Sequence, residues 1–223
     1  MKKLKKFFCL ALCATTAVCA SACDARLTHP LSEWDWNLYF LRFGFVTNVT
    51  SVEYRENYDL KGNLCNIDKH YVFVEDNNHW MTYANEQIRG VRIDKEFWRY
   101  QQDLNGKWTK EEASDFYGNS NPLGVLIAMV KSFQDFYKCL TYDETLGYYK
   151  GENFKIESNV VQPTMVYAME VEFKDDQVYR LYCEAERYTT TSNEAMKLEG
   201  ITKTTMYLSD YGITKLHLPE VTE

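Results

Sequence analysis

The sequence is poor in the two residues that interrupt regular structure: only four prolines and ten glycines occur among 223 residues. Aromatic residues, by contrast, make up 15 % of the chain, and 17 of them are tyrosines. Disordered and collagen-like chains have the opposite composition, so both classes are excluded. No stretch within residues 28–223 has the composition of a linker, and no repeat of fixed period occurs there. The sequence therefore predicts one domain after the leader.

The leader, residues 1–22, has the three parts of a secretory signal peptide. Residues 2–6 supply four lysines, residues 7–14 form an apolar run, and Ala20-Ser21-Ala22 is a small-residue cleavage pattern. The alternative is a permanent membrane anchor, but this run falls short of the roughly 20 residues that a spanning helix needs. We therefore predict a signal peptide over 1–22 and a single domain over 23–223.

Cys23 directly follows the leader. This arrangement resembles the lipobox of bacterial lipoproteins, in which the cysteine is lipidated, although Ala20 stands where that pattern has leucine. The alternative is ordinary secretion with cleavage at the same bond. Either route predicts an extracytoplasmic protein, which would be a cell-surface or periplasmic lipoprotein in the first case and secreted in the second.

The charge balance limits the partners of the exported chain. Removal of the leader leaves 21 basic against 32 acidic residues, a net charge of -11. A surface of that sign does not attract nucleic acid or an anionic membrane face. Contact with a membrane is therefore predicted only through a lipid anchor at Cys23. The sequence carries no signal for the oligomeric state.

Motifs of enzyme chemistry are missing from the chain. It contains no GxSxG, SxxK or HExxH sequence. Asp68-x-His70 could form half of a metal site, but no second histidine or cysteine follows at ligand spacing. We therefore predict a protein that is not an enzyme, with no catalytic residue, no metal and no cofactor.

Three cysteines remain in the predicted domain: Cys65, Cys139 and Cys183. They allow at most one disulfide and one free thiol, and no CxxC motif is present. The interpretation that we favour is that they are buried, small apolar side chains.

Residues 46–108 have the pattern of short antiparallel strands. Val52 and Tyr54 alternate with polar neighbours, and turn residues occur at 61–63, at 76–78 and at Asn105-Gly106. A second pair of strands flanks Asp175-Asp176. One face of this pair is apolar, and the other carries charged residues such as Glu170 and Arg180. The pattern predicts a sheet that is apolar on its hollow side.

Two helices are predicted. The first is short and spans about 31–42, where Leu31, Trp34, Leu38 and Leu41 recur at helical spacing. The second spans 122–140 after a capping Asn121, and its apolar residues cover about half of its circumference. The predicted fold class is α+β: a strongly curved, mostly antiparallel sheet of about 8–11 strands wrapped around an amphipathic helix, with a short N-terminal helix.

Three segments of the sequence also resemble those of a known group of proteins. The segments YVFVEDNNHWMTY, FWRYQQDLNGKWTK and SDYGITKLHLP, together with the leader that ends in cysteine, resemble exported bacterial lipoproteins with a LolA-like or LppX-like fold. The resemblance covers most of residues 28–223. It implies a curved sheet with a hydrophobic cavity between sheet and helices. It also implies a role in holding lipids or lipidated proteins outside the membrane.

The function predicted from these features is an exported, non-catalytic binding protein that holds a lipid, an acyl chain or another hydrophobic small molecule between sheet and helix. The residues predicted to contact this ligand are Met129, Phe133, Phe136, Tyr167, Met169, Phe173 and Leu181. The alternative is a protein-interaction or structural domain with a fully packed core. A continuous apolar cavity of roughly 300 Å³ or more beside Met129 and Phe136 would favour the ligand, and a packed interior would favour the alternative.

Overall fold

A computed structural model describes residues 28–84, 87–103, 105–112, 122–157, 163–189 and 196–221. Cys23 and the predicted signal peptide lie outside the described residues, as does Asn121. Apart from residues 28–31, the described residues belong to one compact unit, Ser32–Glu223. No helix among the described residues is both long enough and apolar enough to cross a membrane.

The unit is dominated by one curved sheet, in which the described residues form eleven strands. Every neighbouring pair is antiparallel. The order is β6-β5-β4-β3-β2-β1-β11-β10-β9-β8-β7, so two meanders meet where β1 pairs with β11. The predicted fold class is confirmed. The strands are β1 (Val49–Asp59), β2 (Leu64–Val74), β3 (His79–Ala84), β4 (Gln87–Ile93), β5 (Glu96–Gln102), β6 (Trp108–Glu112), β7 (Thr141–Asp143), β8 (Tyr148–Ile156), β9 (Thr164–Lys174), β10 (Gln177–Thr189) and β11 (Lys197–Ser209).

The tight turns lie where the sequence predicts them. Asp175 and Asp176 join β9 to β10 with φ values of 49° and 59°, the left-handed pair that a two-residue hairpin requires. Gly106, between β5 and β6, has a φ of 81°. Because such turns fix the register of the strands that they join, the meander follows from local sequence.

The first helix, α1 (Glu33–Phe43), begins after Ser32, whose side chain accepts a hydrogen bond from the Asp35 amide at 3.1 Å. The apolar stripe predicted for it is wrong. Trp34 is 70 % exposed and Leu41 is 49 % exposed. The helix instead turns four aromatic side chains to the core: Trp36, Tyr39, Phe40 and Phe43. Burial of such large rings removes a large apolar area from water.

The predicted helix over 122–140 is two segments. An α-helix, α2 (Pro122–Ser132), is followed by a 3-10 helix (Phe133–Cys139). The Gln134 carbonyl in this second segment accepts a hydrogen bond from Trp36 Nε1 at 2.9 Å. This carbonyl is thus engaged with α1. That contact is consistent with the tighter 3-10 winding, in which each N–H donates to the carbonyl three residues earlier instead of four.

The position of the buried apolar residues changes across the width of the sheet. In β9 and β10 the residues facing the helices are apolar, as predicted, and the opposite face carries the ion pair between Arg180 and Glu170. In β3 to β5 a further group of buried apolar residues lies on the outer face, where Met81, Ile88, Val91 and Tyr100 form a second core. The C-terminal segment covers this second core with three partly buried side chains, Leu216, Leu218 and Val221.

The three cysteines of the domain are free thiols. Cys65 and Cys139 are exposed, so the interpretation that they are buried apolar side chains is wrong for both. Cys139 falls in the 3-10 segment, where the winding differs from the continuous helix assumed by the prediction. Cys183 is partly buried on β10.

Candidate functional site

A cavity of about 570 Å³ lies between α2 and the strands β1 to β4 and β11. Its volume falls in the range of small-molecule sites, about 300–1,000 Å³. Much of the lining is apolar, and it comes from both the helix and the sheet: Val72, Trp80, Val125, Leu126, Met129 and Met206.

Helix α2 supplies the roof of the cavity because of the spacing of its side chains. Pro122, Val125, Leu126 and Met129 recur at intervals of three and four residues, which places them on one face. Leu126 is 3 % exposed and anchors the helix to the sheet. Val125 and Met129 remain partly or largely exposed, as expected for side chains at an unfilled space.

The floor of the cavity is polar, and β1 provides its charged part. Ser51, Glu53 and Arg55 all line the cavity, since alternate residues of a strand share one face. The register sets Glu53 opposite His70 of β2 on one side and opposite Met206 of β11 on the other. Thr82 of β3 continues this polar floor.

Glu53 and Arg55 form an ion pair within this floor. The distance from Arg55 Nη2 to Glu53 Oε1 is 2.6 Å. Glu53 as a whole is 9 % exposed, whereas the Arg55 side chain is 43 % exposed. An ionised carboxylate with so little access to water is stable only beside an opposite charge, so the pair fixes both groups in the floor.

Trp80 and Gly90 belong to the wall of the cavity. Trp80 is 3 % exposed, and its Nε1 donor is buried without a hydrogen-bond partner among the described residues. Such orphaned donors are rare in folded proteins. Gly90 also lines the cavity, and a Cβ atom there would lie 3.5 Å from Thr82 Oγ1 and 3.6 Å from Trp80 Cζ3, which is ordinary contact. The space above Gly90 is thus not closed by backbone.

Of the residues predicted to contact a ligand, the structure brings only Met129 to the cavity among the lining that it describes. Met169 is 2 % exposed and Leu181 is 1 % exposed, both inside the packed part of the sheet. Phe173 is 9 % exposed and packs in an aromatic cluster. The three others are partly buried elsewhere: Phe133 in the 3-10 segment, Phe136 against the ring of Phe154 at 5.9 Å, and Tyr167 at a register shift of β9.

The aromatic cluster that holds Phe173 is centred on Trp36, which is 0 % exposed. The ring centroids of Phe40, Tyr137, Tyr149 and Phe173 lie 5.1 to 5.6 Å from that of Trp36. Contacts at that distance fill the space between helix and sheet. This end of the structure is core, and the open volume lies under α2.

Sequence analysis missed Glu53, Arg55, His70 and Trp80 as site residues. The signal was present, because a glutamate and an arginine two residues apart on a strand must share one face. That face, however, is ordinarily the one turned to solvent, and the alternation predicts that Val52 and Tyr54 lie on the inner side. The structure places the charged face toward α2 and the cavity.

A shallower depression of about 380 Å³ lies on the opposite face of the sheet. Tyr71, Phe73, Trp108 and Leu218 are among the residues that line it. It is part of the junction between the outer core and the C-terminal segment. Within the described part of the chain, no group of three histidine, cysteine or carboxylate residues could hold a metal ion.

Comparison with known proteins gives matches in structure only. No family model matches the sequence, and no curated protein does. LprF from Mycobacterium bovis is similar over 84 % of this chain and 95 % of its own, with 9 % identity and a TM-score of 0.45. A LolA superfamily protein from Nitrosomonas europaea is similar over 84 % and 96 %, with 9 % identity and a TM-score of 0.28. The second of these proteins is named for the LolA superfamily, to which the sequence also shows a resemblance.

Proposed function

We propose that this chain is an exported, non-catalytic binding protein that holds a hydrophobic ligand between α2 and the sheet. The observation that supports the proposal is the cavity of about 570 Å³ beside Met129, which exceeds the roughly 300 Å³ expected for a ligand site. It differs from the expected cavity in two respects, because Phe136 is not among the lining residues and the floor is polar. The ligand contacts are assigned to the lining of that cavity. The residues packed around Trp36 are assigned to the core.

The lining of the cavity suits an acyl chain. Leu126, Met129 and Met206 present apolar surface from both helix and sheet. Thioether side chains adapt to irregular shapes, so Met129 and Met206 can follow a flexible chain. Burial of the chain would be favourable by about 25 cal/mol for each Å² of apolar surface removed from water.

Filling the cavity tests the proposal. In Gly90→Leu the new Cβ meets only ordinary contacts, and the rest of the side chain extends toward the space that an acyl chain would occupy. We expect this variant to lose at least about tenfold in affinity for a fluorescent fatty-acyl probe, which corresponds to about 1.4 kcal/mol. Affinity is measured by titration of the delipidated protein, and folding is checked by circular dichroism.

Gly124→Leu is the matched control. Gly124 lies on α2 but is exposed, and a Cβ there meets nothing within 4 Å. This variant should bind the probe like the unmodified protein. If the unmodified protein binds no acyl probe and carries no lipid when purified from its host, the alternative of an interaction domain without a ligand is correct.

We also propose that the chain is exported by residues 1–22 and anchored through a lipid on Cys23. The support is the order of lysines, apolar run and small residues before that cysteine. Cys23→Ala should then move the protein from the membrane fraction to the soluble fraction, as measured by fractionation and immunoblotting. An unchanged distribution would refute the anchor and leave the ligand proposal untouched.

A further inference from the structure

The charged floor of the cavity narrows the class of ligand. Building on the function proposed above, we propose that the ligand is a single-chain amphiphile with an uncharged, hydroxyl-bearing head group. The head group would lie against Glu53 and Arg55, and the chain would lie under α2. Glu53, Arg55 and Met129 line one and the same cavity, so both ends of such a molecule find complementary surfaces there.

The ion pair of Glu53 and Arg55 disfavours a charged head group. Arg55 and Glu53 are 2.6 Å apart and already neutralise each other. An anionic head group would lie beside the Glu53 carboxylate, and a cationic one beside the Arg55 guanidinium. Glu53 is 9 % exposed and the Arg55 side chain is 43 % exposed, so a charge added beside Glu53 is screened less by water than a charge in open solution. An uncharged head group leaves the existing pair intact.

Hydrogen bonding then favours a hydroxyl. An ionised carboxylate such as that of Glu53 only accepts, whereas the guanidinium of Arg55 only donates. His70 lines the same floor. A hydroxyl both donates and accepts, so one small polyol can serve donors and acceptors together.

The volume suits a single chain. The cavity of about 570 Å³ lies within the range of small-molecule sites, about 300–1,000 Å³. A medium-length acyl chain with a glycerol head is a molecule of that size class.

Three probes that share a twelve-carbon chain test the inference: 1-monolauroylglycerol, laurate and dodecylamine at pH 7.5. Their heads are a neutral diol, an anion and a cation. We expect the unmodified, delipidated protein to bind 1-monolauroylglycerol at least about tenfold more tightly than either charged probe, measured by displacement of a fluorescent acyl probe. Equal affinities, or tightest binding of a charged probe, would overturn the inference.

Variants of the ion pair make the test directional. Glu53→Gln leaves Arg55 unpaired and should shift the preference toward laurate by about tenfold or more, and Arg55→Gln should shift it toward dodecylamine. Glu184→Gln is the matched control. It removes a carboxylate that is 3.5 Å from Lys203 on the opposite face of the sheet, so it should leave the order of affinities unchanged.

The outcomes separate this inference from the proposed function. If all three probes bind equally and Glu53→Gln changes nothing, the chain occupies the cavity without head-group recognition, and only the inference fails. If none of the probes binds, the proposed function itself fails. The comparison of probes on the unmodified protein stands even if a variant does not fold.

Discussion

The two meanders of the sheet differ on the face that is turned to the helices. In β8 to β10 the side facing the helices is filled by an aromatic cluster around Trp36, and the ion pair of Arg180 and Glu170 lies outside. In β1 to β4 the side facing α2 carries the ion pair of Glu53 and Arg55 and leaves a cavity open. The helix-facing side of β8 to β10 is therefore a packed core, whereas the helix-facing side of β1 to β4 borders a cavity.

The C-terminal segment explains how the second arrangement is stable. Leu216 and Leu218 cover the outer face of the first meander, where Met81 and Val91 are buried. Apolar burial is thus achieved on the outer side of these strands. Their inner side therefore needs fewer apolar residues, and it carries charged and polar groups toward the cavity.

The largest expected difference between the halves is in stability. Trp36→Ala removes a side chain that is 0 % exposed and surrounded by four rings, and it also removes the hydrogen bond to the Gln134 carbonyl. We expect this variant to lower the free energy of unfolding by about 3–5 kcal/mol, as measured by urea denaturation. A loss of that size is a large part of the stability of an ordinary domain.

Met129→Ala is the counterpart in the other half. The Met129 side chain already borders an open space, so its truncation creates little new cavity, and we expect a loss of about 1 kcal/mol or less. Equal losses for the two variants would contradict the division into a packed half and an open half. Equal losses would also mean that the volume under α2 is filled in solution.

The sequence predicts the architecture well because the relevant signals are local. The left-handed Asp175-Asp176 turn and the glycine at 106 define hairpins, and alternation in β9 and β10 identifies their inner face. A chain of such hairpins can only form a meander. The eleven strands in sequential order within each half follow from those turns.

The sequence does not predict the site because the orientation of β1 is decided by distant residues. Alternation separates Val52 and Tyr54 from Glu53 and Arg55, but it does not say which set faces the helices. That choice depends on Leu216 and Leu218, about 160 residues away, which cover the outer core. Helical spacing does not predict the buried face of α1 for a similar reason, because the rings that bury Trp36 lie far along the chain.

A last difference between the halves concerns the reactivity of Cys183. This thiol lies on the packed half of the sheet, opposite Met169 in β9 and Thr204 in β11. Burial, and secondarily the nearby Glu184 carboxylate, raises its pKa to about 11. At pH 8 only about 0.1 % of such a thiol is ionised, against roughly 10 % for a pKa near 9, and the thiolate is the reactive form. Its reaction with a thiol reagent should therefore be about 100-fold slower than that of an ordinary thiol.

The measurement compares two variants that each retain one domain cysteine, starting at residue 24 so that Cys23 is absent. The first retains Cys183, with Cys65→Ser and Cys139→Ser. The second retains the exposed Cys65. Because the thiolate population of Cys183 keeps growing until the pH reaches about 11, its rate should rise about tenfold per pH unit from 8 to 10. Equal rates at pH 8 would show that the inner face of β10 is open to solvent. The helix-facing side of the second meander would then not be a packed core, and the contrast between the two meanders would be contradicted.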